Sequence, residues 1–546
     1  MAYGIALDLG TSGFRSHLVD LDKDGKILDT AITSRHPLPG ANIMDHMHFW
    51  MKSGREITHK IIAQTIYDLI SLYGKDKLSQ VTKLSVCGNP IQLSLFEDIE
   101  VRDLAFAGQN KLKSLGVVAP SRKAHTTTAG DIGLLGLNPE TEVLIPPAIR
   151  HEIGADALAM IIKSGMLDKK ETCMVTDYGT NAEMGLYYEG ELYSGSAAAG
   201  PAMEGQSIEY GVLASPGSIS DVNINDDGTW DNIVLNDMLV PVVTSKINPA
   251  TGEGVRVLDY KAKGITGTGV VSCIAEGLKS GVIPLPGINT PDEKIHMVDG
   301  VYISKKDVRE AGKAMGAIRA GHRTLMYEVG LSDSDVKTMY MAGASGTYVD
   351  PIKAQYCGMV PRVLEEVYQL GNTSLMMAHD LLKSDKTLDN MQDVANSISA
   401  NHIMFAGNQK FEDMYVLELA YWDEGMPMDM YNDLMQASGF PALPDIVTPK
   451  ICKRIVKSDI PDVGAGLHTL EQVGMIMKGK FPGCTGCKKC QRGCPEKALT
   501  VYDQDDGTHE INIRSDLCLG TACQACEFNC PEKVYKFVDL EVQYQL

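Results

Sequence analysis

Eight of the 13 cysteines in this 546-residue chain fall after residue 483. They form two runs, Cys484-x2-Cys487-x2-Cys490-x3-Cys494-Pro495 and Cys518-x4-Cys523-x2-Cys526-x3-Cys530-Pro531. The other five, Cys87, Cys173, Cys273, Cys357 and Cys452, are scattered. In an intracellular chain such a cluster is not used for disulfides, so the runs read as metal ligands. Thiolates are soft, anionic donors suited to iron or zinc. All-cysteine zinc sites need only paired CxxC motifs, and leave the fourth cysteine and its proline unexplained in both runs. The prolines end each run in a turn that helps wrap the chain round a bound group.

The spacing resembles the signature of two-cluster bacterial ferredoxins, in which the fourth cysteine of each run crosses to the other cluster. That resemblance implies one 4Fe–4S cluster on Cys484, Cys487, Cys490 and Cys530. It implies a second on Cys518, Cys523, Cys526 and Cys494. The second run departs from the pattern, because "LGTA" puts four residues between Cys518 and Cys523, which predicts a longer loop there. Between the runs, "ALTVYDQDDGTHEINIRSDL" alternates apolar and polar residues around an Asp-Asp-Gly turn and reads as a β-hairpin. The C-terminal module is an electron carrier of α+β type.

A different chemistry opens the chain. "GIALDLG" is a buried-strand pattern ending at Asp8 and Gly10, "TSG" is a tight turn, and "FRSHLVDL" and "KILDTAI" are further strands. The plan recurs at "CMVTDYGTNAEMGLYYEGELYSGSA", with Asp177, Gly179, Thr180 and Asn181 in place of Asp8, Gly10, Thr11 and Ser12. Glycines let backbone N–H groups approach phosphate oxygens, hydroxyls add donors, and paired aspartates hold Mg²⁺ through water. Two copies predict a duplicated, two-lobed α/β fold that binds a nucleotide. A helical period from Asp307 to Val329 precedes a strand into the glycine turn Gly343-Ala344-Ser345-Gly346, placed to approach an adenine or ribose. A further glycine-rich turn, Gly267-Thr268-Gly269, opens a helix and is a candidate contact. It lacks the last glycine of a dinucleotide fingerprint, and "GMIMKGKF" (Gly474 to Phe481) has Phe where a Walker A motif needs Ser or Thr. The latter reads as a connector.

The bulk numbers bound the rest. The length suggests roughly three or four domains. A net charge of -20 argues against nucleic acid or an anionic membrane as partner. No stretch reaches the ~18 apolar residues of a membrane span, and the first residues do not look like a secretory signal. A cytoplasmic location is expected.

These blocks together resemble the ASKHA superfamily of sugar kinases, chaperone ATPases and actin. Within it, "DYGTNAEM", "AAAGPAMEGQSIEYGVLASPGSISDV", "GITGTGVVSCIAEGLKSGVI", "MAGASGTYVDPIKAQYCGMVP" and "QLGNTSLMMAHDLL" are similar to the reductive activators of corrinoid-dependent methyltransferases. Many members carry a 2Fe–2S domain at the N-terminus. The C-terminal two-cluster ferredoxin found here is similar to those that serve methylamine methyltransferases in methanogenesis. The resemblance implies an ATP-hydrolysing iron–sulfur oxidoreductase that returns Co(II) corrinoid to Co(I), with a separate low-potential electron donor. It assigns no catalytic base. The chain has no Asp-x-His-x-x-Gly corrinoid motif, and "DHMHF" (Asp45 to Phe49) has the wrong spacing, so the corrinoid is expected on a partner protein. The histidines of that stretch read as surface or structural.

The expected divisions are a first ATPase lobe over 1–150, a second over 151–424, a connector over 425–477 and the ferredoxin domain over 478–546. Two rivals remain at this point. One is an ATP-driven donor to an acyl-CoA dehydratase or reductase; those activators share one cluster across a dimer, whereas this chain has eight ligands of its own. The other is a ferredoxin fused to a chaperone-like binding module.

Overall fold

The structure, a computed structural model, describes every residue except 1, 41, 106–108, 150–152, 180, 201, 203–206, 385, 399–400 and 544–546. The chain divides into two units, one of residues 1–155, 378–392 and 463–546, the other of 156–377 and 393–462.

The first unit is built on a seven-stranded sheet. Its central strand, Tyr3–Leu9, is buried at every residue, which explains an apolar run without alternation. Phe14–Asp20 and Lys26–Thr33 follow it antiparallel on one side, and Val81–Gly88 and Glu142–Ile145 lie parallel on the other. Helices cover the sheet, among them Arg55–Ser71, which buries Ile61, Ile62, Ile66, Leu69 and Ile70.

The second unit repeats the plan. Cys173–Asp177 carries the antiparallel strands Ala182–Tyr188 and Glu191–Ala197 on one side. Thr338–Ala342, Glu366–Gly371 and Ile451–Arg454 extend it in parallel on the other. The expected duplication is therefore present as sheet topology. Inserted after it, a five-stranded sheet packs on the helix Gly267–Ser280, and the predicted long helix runs from Lys305 to Glu328.

The C-terminal module adds a four-stranded sheet in the order Leu499–Asp503, His509–Arg514, Ile476–Lys480, Glu541–Gln543. The predicted hairpin is present, with Asp503 opposite His509 at its turn end. The "GMIMKGKF" stretch is not a connector: Ile476–Lys480 is an inner strand of this sheet, bonded on both edges.

Residues 425–477 are more structured than a linker. Met428–Ala437 is a helix that buries Tyr431, whose Oη donates to Glu418 Oε1 at 2.6 Å. Glu418 is also the ion-pair partner of buried Arg319. Ile451–Arg454 completes the second unit's sheet, and Leu467–Leu470 pairs with Lys26–Thr33 in the first. Both strands are only four residues long, so their pattern does not stand out in the sequence. Among the described residues, no helix is long and apolar enough to cross a membrane.

Candidate cluster and nucleotide sites

The cysteine runs repeat each other in backbone as well as spacing. Lys488 and Gln524, each following the second cysteine of its run, both take a left-handed conformation, with φ of 57° and 47°. Lys497 and Lys533, three residues after the fourth cysteine, both have φ of 53°. Non-glycine residues rarely adopt this region, and matched occurrences mark a wrapping that the fold enforces. A helical turn follows in each run, Lys489–Arg492 and Ala525–Phe528.

Cys484, Cys487, Cys490 and Cys530 line one cavity, so three cysteines of the first run meet the fourth of the second. Val501, Ile511, Val534 and Tyr535 supply its apolar wall. Cys518 is set among Cys526, Cys494 and Cys523, the complementary set. Burial, then the like charge of these neighbours, pushes its thiol up to about 12. Cys490 is raised to about 11 by burial, with Cys484 and Cys487 adding to it. Burial also raises Cys526, while the Tyr535 hydroxyl draws it back. Cys530 goes the other way: burial opposes ionisation, but the backbone N–H groups of Tyr535, Val534, Glu532 and Lys533 bring it below its ordinary value. Crowded, part-buried thiols repel one another as thiolates and call for a cationic group between them. Among the described residues, no three His, Cys, Asp or Glu converge closely enough to hold a single metal ion. Four thiols around one cavity match the donor set of a 4Fe–4S cluster.

In the first unit, Asp8 stands at the end of the central strand, 5% exposed, with Arg15 Nη1 at 4.0 Å from Oδ2 across the hairpin. Gly10, Thr11 and buried Ser12 form the turn beyond it. Asn89 Nδ2 donates to Thr11 Oγ1 at 3.1 Å. In the second unit, Asp177 occupies the matching strand end, with Gly179 and Asn181 in the turn; Thr180 lies outside the described residues.

The structure brings Asp177 together with the predicted adenosine motif. Ala342 is its register partner, and Gly343, at φ 78°, packs so tightly that a Cβ there would sit 2.2 Å from Asp177 Oδ1. Only glycine fits that position. Gly343–Tyr348, including Ser345 and Gly346, is a short helix rather than an open turn.

Gly267, Thr268 and Gly269 are buried in the first turn of Gly267–Ser280. Thr268 Oγ1 lies 2.7 Å from Thr266 Oγ1 and donates to Ser220 O. A Cβ on Gly269 would meet Ile219 O at 2.5 Å, so close packing accounts for this glycine.

Sequence reasoning missed a buried polar group beside the first hairpin. His36 and His46 stack with ring centroids 3.9 Å apart, and Gln92 bonds both. The signal for its anchor was present: Asn-Pro at 89–90 is a helix start, and Asn89 caps Pro90–Phe96.

Residues 171–432 match the family model described as the C-terminal domain of RACo, the ASKHA domain, and residues 3–169 match the RACo middle region. Residues 483–534 match a 4Fe–4S dicluster domain. A Co(II) methylated amine-specific corrinoid protein reductase of Methanosarcina barkeri is 44% identical over 522 residues, covering 95% of this chain and 96% of its own. The corrinoid activation enzyme RamQ of Eubacterium limosum is 25% identical over 463 residues, covering 78% and 71%. A solved structure of a reductive activator for a corrinoid, iron–sulfur protein shares the fold at TM-score 0.62 and 22% identity, covering 77% of this chain and 66% of that one. With a duplicated ASKHA architecture, a two-cluster cysteine module and a full-length relative at 44% identity, the chain belongs to the family of corrinoid protein reductive activators.

Proposed function

We propose that this protein uses ATP to drive one electron onto the Co(II) corrinoid of a partner protein, giving Co(I), in methylamine methyltransferase systems of methanogenesis. The observation that carries this reading is the joining, in one chain, of a duplicated ATPase fold and an eight-cysteine module, in a chain 44% identical over 95% of its length to a corrinoid protein reductase. We assign two 4Fe–4S clusters, on Cys484, Cys487, Cys490 and Cys530 and on Cys518, Cys523, Cys526 and Cys494. When bound, they supply one-electron transfer at low potential. Val501, Ile511, Val534 and Tyr535 exclude water from the first site, and the N–H groups beyond Cys530 stabilise its thiolate.

We assign Mg-ATP to Asp8, Gly10, Thr11, Ser12, Asp177, Gly179, Thr180, Asn181, Gly343, Ser345 and Gly346. In each hairpin the aspartate would bind metal through water, and the hydroxyls and turn N–H groups would hold phosphate. Gly267, Thr268 and Gly269 are left out of this assignment, because they are buried in the first turn of their helix and close packing accounts for Gly269.

ATP is needed because Co(I) corrinoids are strong reductants. Each ~59 mV is tenfold for one electron, so a gap of about 240 mV is roughly 5.5 kcal/mol. Clusters deliver electrons without changing that balance, whereas a nucleotide-driven two-state protein can bias a partner's state by this much. The chain has no corrinoid motif, so the corrinoid it acts on belongs to a partner protein, and its net charge of -20 does not suit a nucleic-acid partner. Partner choice tests the reading. Incubated with Mg-ATP and a low-potential reductant, the protein should convert Co(II) methylamine corrinoid proteins to the Co(I) spectrum. Failure with every such protein, alongside reduction of an acyl-CoA dehydratase, would overturn it.

A further inference from the structure

The longer loop predicted between Cys518 and Cys523 is a docking element. Gly520–Ala522 forms a turn against the helix Ile43–Ser53 and the loop before it. Gly40 N donates to Cys518 O at 2.8 Å, and Ser515 Oγ donates to Pro37 O at 2.6 Å. Gly520, at φ 68°, lies against Pro39, whose carbonyl would stand 3.3 Å from a Cβ there. The loop 37–40 is thus seated on residues 515–520.

The other side of this loop leads to the first phosphate hairpin. His36 Nδ1 accepts from Leu38 N at 3.1 Å, so its proton sits on Nε2 and is donated to Gln92 Oε1, also at 3.1 Å. Gln92 Nε2 then donates to His46 Nδ1 at 2.8 Å. Each partner's role fixes the next, and Gln92 has one permitted orientation. The backbone N–H of Gln92 is capped by Asn89 Oδ1 at 2.9 Å, and Asn89 Nδ2 bonds Thr11 Oγ1. All four side chains are buried: Asn89 is 6% exposed, Gln92 1%, His36 5% and His46 0%. Phe14, just past the turn, also meets His36 edge-on with ring centroids 5.2 Å apart. A buried network of this kind shifts as a unit, because leaving any member unpaired costs it a hydrogen bond it cannot recover from water.

We propose that Asn89, Gln92, His36 and His46 are positioning residues that carry the nucleotide state of the Gly10–Ser12 turn to the second cysteine run, and not to the first. A phosphate drawing on the Thr11 hydroxyl pulls on Asn89, hence on Gln92 and the histidine pair, and so on the loop that holds Cys518. The proposal rests on nucleotide binding at that turn. The first run meets Val501, His509 and Asn529 of its own module instead.

Hydrogen–deuterium exchange of the full-length, cluster-loaded protein, with and without a Mg²⁺ complex of a non-hydrolysable ATP analogue, tests this. Nucleotide should change amide exchange at 37–40 and 515–522 at least tenfold and leave 484–490, which holds three ligands of the other cluster, unchanged. Gln92→Met, which keeps volume but removes both side-chain bonds, should bind the analogue with unaltered affinity and lose the response at 515–522. Removing Gly520 and Thr521 undocks the turn without touching Gln92 and should lose the same response. In both variants ATP hydrolysis should persist while Co(I) formation falls at least tenfold. Analogue binding without any change at 515–522, equal changes in both runs, or a response retained in either variant overturns the proposal alone. No binding to the unsubstituted protein overturns the nucleotide reading and the relay with it.

Discussion

The two cysteine runs have matching left-handed residues and matching helical turns, yet they stand in different surroundings. Cys487 of the first is exposed, with the Arg492 guanidinium bonded to its carbonyl. Cys518 of the second is half-buried and tied through its carbonyl to Gly40 of the ATPase lobe. The second run is thus tied to the ATPase lobe through Cys518, whereas Cys487 of the first meets solvent. Duplication supplies two sites; a two-residue lengthening of one loop distinguishes them.

The comparison breaks most completely if a ligand is removed. Cys487→Ala or Cys526→Ala should abolish corrinoid reduction, with bound iron falling from about eight per chain. ATP hydrolysis should survive both changes, whereas Asp8→Ala or Asp177→Ala should abolish hydrolysis and leave the iron in place. Iron and hydrolysis assays on the four variants check this, and loss of both properties in any one of them would contradict the separation.

A smaller effect probes the hairpin side of the first run. Gly486 has φ 64°, and a Cβ there would lie 2.4 Å from His509 Cε1. Gly486→Ala should cost ~1–3 kcal/mol in the stability of the C-terminal module. Chemical denaturation followed through the cluster absorbance would read it.

Acid should act on the lobe that holds the second run. Burial lowers His36 to about 3 and pushes His46 well below its ordinary value, the neighbouring His36 adding to the latter. A depressed histidine is neutral when folded and takes a proton on unfolding. Its contribution is therefore present above the unfolded value near 6.5 and is lost as pH falls from there towards about 3. Each such histidine should weaken folding about tenfold per pH unit in that window. Urea midpoints at pH 7 and pH 5 should fall accordingly, and His36→Asn should flatten the slope.

The smallest change concerns the exposed ion pair of Lys488 with Asp503, 3.1 Å apart beside the first run. Asp503→Asn should leave reduction and stability as a neutral surface substitution would, since solvent and salt screen the pair. A large loss on this substitution would mean that the first run depends on its surroundings as much as the second.

How much of this was legible follows from sequence distance. The cysteine runs, both phosphate hairpins and the hairpin at Leu499–Arg514 are local patterns, and each is visible in a short window. The strand Ile476–Lys480 was not, because its partners His509–Arg514 and Glu541–Gln543 lie far along the chain and its own residues include two lysines and a glycine. The histidines of "DHMHF" are surface or structural as read, His48 exposed and His46 fully buried. Nothing near His46 announces Gln92, since the network joins three separate segments. Asp177 and Gly343 were each singled out, but only the parallel pairing of their strands shows why a glycine must follow Ala342.

The central claim is that ATP supplies the drive for cobalt reduction. The direct measurement is the absorbance of a Co(II) methylamine corrinoid protein mixed anaerobically with this protein and a low-potential reductant, with and without Mg-ATP. The account predicts the Co(I) spectrum only when Mg-ATP is present. Co(I) appearing equally fast without nucleotide would contradict it and favour a ferredoxin joined to a binding module.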